Sequence, residues 1–257
     1  MSHRHATLAL RAYGRTVAIA GPDAALEIVR DRLPPSYRPT TDEPERRWRI
    51  GVRGGLFRAD NDDDQLALVD NVVTASEIVL SDLELWVAEH ARRNIFVHAG
   101  CVVADDRAIL IPGRSMSGKT SLTAALIRAG ATYWSDEYAV LDSSGQVRPY
   151  SRRLAIRPYD GSPPHRVTAS DVGGPVGRGP RPVGLIVVLR YDRAAGWNVR
   201  PLSRGQAVLQ LLDNTIPARS RPRAVLTALD RATEPARCLA GTRGDADAAA
   251  ELVLAEL

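Results

Sequence analysis

Lysine is almost missing from this chain. Lys119 stands alone among the 34 lysines and arginines, so every other such position is arginine. An ammonium on a flexible stem and a planar guanidinium are not interchangeable, so a single lysine kept in an arginine-rich sequence points to a position that needs one. Cysteine is scarce as well. Cys101 and Cys238 are too few and too far apart for a disulfide framework, and a reducing cytoplasm is the expected compartment. No apolar run approaches the roughly 18 residues of a membrane span. The opening M-S-H-R-H-A-T-L-A-L has no long apolar core or cleavage-like site, so no secretion signal is expected. No internal repeat is found. The net charge is only +4, and the arginines are interspersed with acids rather than gathered in a block. That pattern describes a solvated surface, and no nucleic-acid or membrane partner is expected.

What is present centres on A-I-L-I-P-G-R-S-M-S-G-K-T-S-L, Ala108 to Leu122. Ala108 to Ile111 is the short apolar run a buried parallel strand leaves. Pro112 and Gly113 break it, and an amphipathic run from Ser121 to Ala129 follows. Strand, Gly-x-x-x-x-Gly-Lys-Thr and helix is the context of a phosphate-binding P-loop. Its backbone N–H groups point inward at phosphate oxygens, and the helix adds its positive dipole end. Gly113, Arg114, Ser115, Met116, Ser117, Gly118, Lys119, Thr120 and Ser121 are the expected binding residues for the phosphates of ATP. Lys119 would reach the β- and γ-phosphates, and the Thr120 hydroxyl would take a place on Mg²⁺.

At 257 residues the chain is long for one domain and short for two full ones. Residues 1–93 read as a small N-terminal α+β lobe with a connecting helix. Ala6 to Leu10 and Thr16 to Ala20 are expected as strands around Tyr13-Gly14. A helix from Asp23 to Leu33 follows, then a polar loop from Pro39 to Arg46. Trp48 to Val52 and Gly55 to Arg58 form a hairpin before the acidic turn at residues 61–64, which lacks calcium-loop spacing. Val72 to Arg93 is helical, with Ile78, Leu80, Leu83, Leu85, Trp86 and Ala88 as its apolar stripe.

Residues 94–257 read as the nucleotide domain. Ile95 to Val103 and Arg107 to Ile111 are strands around Asp105-Asp106, and the helix after the loop closes at Gly130. Ala131 to Trp134 is a strand that delivers Ser135-Asp136-Glu137. Tyr138 to Leu141 pairs with Gln146 to Tyr150, and Leu154 to Arg157 is a further strand. Residues 158–182, rich in Gly, Pro, Ser and Arg, read as a long flexible loop, either a lid or an insert. Val183 to Leu189 is a buried strand with Trp197 to Pro201 pairing beside it. Helices follow from Ser203 to Leu212 and from Pro222 to Arg231, then a strand from Arg237 to Ala240 and a terminal helix from Asp245.

Binding alone is not chemistry; transfer needs a carboxylate near the metal. Asp136 is the leading candidate, because it ends the strand after the P-loop helix, where α/β sheets put their reacting groups. An acid in that position is also a common turn residue. If the strand continues, Glu137 points to the other face. His98, in F-V-H-A-G, is on its residues alone either a satisfied core histidine or part of the site.

The span Phe96 to Val140, with His98, the loop Gly113 to Thr120 and Asp136 in that order, resembles the catalytic domain of the HPr kinase/phosphorylase family. The loop is also similar to that of phosphoenolpyruvate carboxykinase through G-x-S-x-x-G-K-T-x-L. The resemblance covers well under half of the chain. It implies an α/β P-loop domain of the HPr kinase/phosphoenolpyruvate carboxykinase type that uses ATP and Mg²⁺. It implies catalytic roles for Asp136, as base toward a serine hydroxyl, for His98 beside the phosphate, and for Lys119. Thr120, Asp136 and Glu137 are the implied metal set, with Glu137 replacing the family's second aspartate. The family's downstream glutamate-bearing signature has no match, and R-R-L-A-I-R, Arg152 to Arg157, falls in its place. Compact relatives in peptide-modification systems imply a peptide or small-protein acceptor with a Ser/Thr hydroxyl. The family's assemblies make a homo-oligomer compatible with the resemblance. A small-molecule kinase and a non-catalytic nucleotide-dependent binding module are the alternatives.

Overall fold

The computed structural model describes residues 5–113, 117–156 and 165–257. The chain divides into two units, Met1–Arg93 and Asn94–Leu257. In the first, β1 (His5–Ala12), β2 (Arg15–Pro22), α1 (Asp23–Arg32), β3 (Arg38–Pro39), β4 (Arg46–Arg53), β5 (Leu56–Asn61), β6 (Gln65–Val69) and α2 (Val72–His90) follow one another. The strands form a sheet in the order β3-β1-β2-β4-β5-β6. Alternation decides its faces: Leu8, Leu10, Val17, Ile19, Trp48 and Ile50 are buried, while Thr7, Arg11, Arg47 and Arg49 are exposed. The two helices pack on each other and on this sheet. The Asn71 side chain caps α2 by accepting from the Thr74 N–H. The stripe α2 buries is Ala75, Ser76, Val79, Leu80, Leu83, Glu84, Val87 and Ala88. Leu85 is exposed, because the 3.6-residue period, and not hydrophobicity alone, selects the inward face.

The second unit carries β7 (Ile95–Ala104), β8 (Arg107–Pro112), α3 (Lys119–Arg128), β9 (Thr132–Ser135), β10 (Tyr138–Leu141), β11 (Val147–Arg148), β12 (Leu154–Ile156) and β13 (His165–Val167). Then come α4 (Ala169–Val172), β14 (Val183–Tyr191), β15 (Asn198–Pro201), α5 (Arg204–Leu212), a 3₁₀ turn at Ile216–Ala218, α6 (Pro222–Thr233), β16 (Arg237–Arg243) and α7 (Ala246–Ala255). Among the described residues eight strands form one mixed sheet, β11-β10-β7-β8-β14-β16-β15, with β9 pairing β7 off that path. β14 runs parallel to both β8 and β16, and β7 antiparallel to β8.

Both faces of this sheet are covered, which explains its near-continuous apolar strands. Ile109, Ile111, Leu185 and Val187 face a core shared with Leu122, Leu126 and Ile127 of α3 and Ala249, Ala250 and Val253 of α7. Ala108, Leu110 and Ile186 face the opposite core, with Leu211 of α5 and Val225 and Leu229 of α6. Each fully buried leucine or isoleucine contributes about 1.5–3 kcal/mol of transfer free energy. The result is a helix–sheet–helix sandwich. No helix among the described residues is long and apolar enough to cross a membrane.

Two sequence expectations are corrected here. The strand at Asn198–Pro201 pairs with β16, and β16 takes the place beside β14 that was expected for it. A run of four residues cannot register which neighbour it chooses when both are apolar. Residues 165–182 are built into the fold instead of forming a flexible loop. β13 pairs with β12, a Thr168–Asp171 capping box starts α4, and Gly173 ends it at φ +107°. Beyond it, Tyr133 N–H donates to Pro175 O (2.9 Å) and Gly177 N–H to Tyr133 O (2.9 Å). Val147 and Arg181 exchange two backbone bonds of 2.9 and 3.0 Å. A Cβ on Gly177 would lie 1.7 Å from the Trp134 ring. Glycine is there to let the backbone lie flat on an indole, and composition alone reads the same as slackness. Residues 157–164, which take in the end of the expected strand at Arg157 and the start of the expected loop, lie outside the described residues.

Candidate functional site

The site is assembled past the carboxyl end of β8, an interior strand of the large sheet. β8 ends at Pro112, and α3 begins at Lys119 after Gly118, which caps the helix in the left-handed region at φ +83°. Arg114, Ser115 and Met116 lie outside the described residues. A Cβ on Gly113 would lie 2.6 Å from the Ser117 Oγ, so Gly113 leaves no room for a side chain beside Ser117. Lys119 is 7% exposed, and its Nζ donates to the Gly113 carbonyl at 2.7 Å. Burial lowers its pKa, while the Glu137 and Asp136 carboxylates pull it back up. Ser121, in the same first turn, is exposed.

β9 brings the carboxylates. It stops at Ser135, whose buried Oγ accepts the Glu137 N–H at 3.1 Å and the Tyr138 N–H at 3.0 Å. That hydroxyl turn breaks the strand alternation expected for residues 136 and 137. The strand does not continue past Ser135, so the condition under which Glu137 would turn to the other face is not met. Asp136 is 4% exposed. The Thr120 Oγ1 donates to its Oδ2 at 3.4 Å, and the Tyr133 hydroxyl lies 3.1 Å from its Oδ1. Burial raises the Asp136 pKa, helped by the Glu137 charge and opposed by Arg152. Burial also raises the Tyr133 pKa, with Asp136 adding to the effect.

Glu137 is held differently. Its Oε1 is 3.3 Å from His98 Nε2, and Arg152 Nη2 donates to its Oε2 at 3.2 Å. Burial pushes this carboxyl up, but the His98 bond and the Arg152, His98 and Lys119 charges outweigh it and hold the pKa low. His98 is half-buried. Its N–H donates to Asn214 O at 2.7 Å and its carbonyl accepts from Gly113 N–H at 3.4 Å. β10 pairs with β7 so that Tyr138 lies opposite His98.

The structure thus brings Lys119, Thr120, Asp136, Glu137 and His98 together. It adds three side chains that the sequence reading had not assigned. Tyr133 binds both Asp136 and the Arg152 carbonyl, the latter at 2.9 Å. Arg152 occupies the ground where a glutamate-bearing signature was sought and presents a cation to Glu137. Arg243, at the end of β16, donates to the Gly118 carbonyl at 2.9 Å. The last two are remote in sequence from the loop, and one arginine among so many carries no sequence signal.

A magnesium ion fits what is present. Mg²⁺ takes hard oxygen ligands, one or two carboxylates completed by phosphates and water, and Thr120 and Asp136 offer a hydroxyl and a carboxylate already in contact. Among the described residues no group of three or more His, Cys, Asp or Glu side chains could hold a metal ion alone.

No family model matches this sequence, and no curated protein does. Among solved structures it is similar to the HPr(Ser) kinase/phosphatase from Coxiella burnetii. The identity is 19%, the match covers 52% of this chain and 93% of that chain, and the TM-score is 0.30.

Proposed function

We propose that the chain is an ATP- and Mg²⁺-dependent kinase that phosphorylates a serine or threonine hydroxyl on a peptide or small protein. One observation carries the reading: the only lysine of the chain is buried at the start of α3, beside a Thr120–Asp136 hydroxyl–carboxylate contact. Lys119 would exchange the Gly113 carbonyl for phosphate oxygens, and the N-terminus of α3 would add its N–H groups. Thr120 and Asp136 would hold Mg²⁺, which neutralises charge on the transferring phosphoryl group. Asp136, at the end of β9 and within reach of the Thr120 hydroxyl, would also be placed to receive the acceptor's proton. His98 and Arg152 keep Glu137 ionised and in place. Catalysis would come mainly from positioning and charge stabilisation. The order His98, loop, Asp136 supports an HPr-kinase-like reading, and the peptide acceptor is drawn from the compact relatives of that family in peptide-modification systems.

The test is transfer of label from γ-labelled ATP to serine-bearing peptides, with free serine and sugars as parallel acceptors. Phosphoserine on a peptide, abolished by chelating Mg²⁺, is expected. Label on small molecules alone would contradict the peptide reading. Nucleotide binding with no transfer, unchanged in Asp136→Asn, would contradict the enzyme.

A further inference from the structure

Arg243 and Lys119 are the two buried basic residues among those described, at 3% and 7% exposure. Lys119 belongs to the proposed phosphate site, and Arg243 touches that site through the Gly118 carbonyl. It comes from the other end of the unit, at the last position of β16, where it is paired with Tyr191 of β14. β16 is two parallel strands from β8, so Arg243 emerges at the same carboxyl edge as the loop. Its Nη2 donates to the Gly118 carbonyl at 2.9 Å, its Nη1 to the Gly244 carbonyl at 2.9 Å, and its Cζ sits 5.2 Å from the Tyr191 ring centroid. The fork is therefore fixed on three sides. A Cβ on Gly118 would lie 2.5 Å from Nη2, so the guanidinium fills the space that this glycine leaves by having no side chain.

Gly118 is the hinge of the loop. Its left-handed conformation turns the chain from the loop into α3, and its carbonyl also accepts the first helical bond, from Leu122 N–H at 3.1 Å. We infer that Arg243 is a positioning residue for nucleotide phosphate: it locks the Gly118 turn, so Lys119 and Thr120 are presented in binding geometry before the ligand arrives. The inference rests on the nucleotide reading above and extends it to a residue far from the motif. Preorganisation of this kind appears as ligand affinity, because the folded protein no longer loses entropy to fix the Gly118 turn on binding.

The experiment measures Mg·ADP affinity by calorimetry in wild type, Arg243→Met, Arg243→Lys and Gly118→Ala, with ligand-free melting recorded for each. Arg243→Met is expected to weaken Mg·ADP at least about tenfold at a temperature where the protein is fully folded. Arg243→Lys, which keeps one donor, should fall between. Gly118→Ala should lose affinity with Arg243 intact, and adding Arg243→Met to it should cost less than the two losses combined. A role confined to holding β16 in place would lower melting and leave affinity of the folded protein untouched. If Arg243→Met does not fold, Arg243→Lys and Gly118→Ala decide. Wild-type binding that survives in the Arg243 variants would overturn this inference alone. Wild type that binds no nucleotide would overturn the nucleotide reading and this inference with it.

Discussion

Asp136 and Glu137 are adjacent residues whose carboxyls are driven apart. Burial raises the Asp136 pKa from its ordinary 3.8, so in the metal-free fold its ionised form is disfavoured. Its contribution to stability is full below the unfolded value and is lost as pH rises through the folded one. Asp136→Asn should therefore melt higher than wild type in chelator at about pH 8, by about 2–4 °C for a gain on the order of 1 kcal/mol. The difference should close toward about pH 4. A lower melting point at high pH would refute this. Glu137 has the opposite sign: held low by His98, Arg152 and Lys119 against burial, it stabilises above its unfolded value and loses that contribution as pH falls through the folded one. Arg152→Gln removes one of those cations. Its acid unfolding should begin at higher pH than that of wild type, with about 1–3 kcal/mol lost at neutral pH. Coincident acid transitions would show that the Arg152 contact holds nothing. The thiols offer a further check. Cys101 and Cys238 are free and buried, and burial pushes the Cys238 pKa up to about 11 and that of Cys101 higher still. Neither should react with a thiol reagent at neutral pH until the protein unfolds, and prompt labelling of the native chain would contradict their burial.

Among the elements, the segment from Gly173 to Arg181 shows how local composition misleads. Gly177 lies against Trp134 so closely that Gly177→Ala must displace backbone or ring. A loss of about 1–3 kcal/mol is expected, together with faster proteolysis within residues 165–182. An unchanged melting point and cleavage rate would show that the segment is not held through this contact. What the sequence made legible follows from the same physics. β8 and β14 are readable because both of their faces are buried and leave unbroken apolar runs. The loop is readable because its glycines, lysine and threonine are contiguous. The orientation of Glu137 was not readable, since alternation ends when Ser135 turns the chain with its own hydroxyl. Arg152 and Arg243 were not readable either, since only the folded chain brings the segment before β12 to Glu137 and the end of β16 to the loop.

At the scale of the molecule, every described site residue falls within Asn94–Leu257, a unit with cores on both faces of its sheet. A fragment of residues 94–257 is accordingly expected to fold cooperatively and to bind Mg·ADP within about tenfold of the full chain. Non-cooperative melting of the fragment would mean that the first unit is needed for the second to form. The central claim is that a buried lysine and a hydroxyl–carboxylate pair form a working phosphoryl-transfer site. Calorimetry with Mg·ATP, paired with label transfer to a serine peptide, tests it most directly in wild type, Lys119→Ala and Asp136→Asn. The account predicts micromolar binding by wild type, loss of that binding in Lys119→Ala, and binding without transfer in Asp136→Asn. Absence of Mg·ATP binding by the folded wild type, or normal transfer by either folded variant, would contradict it.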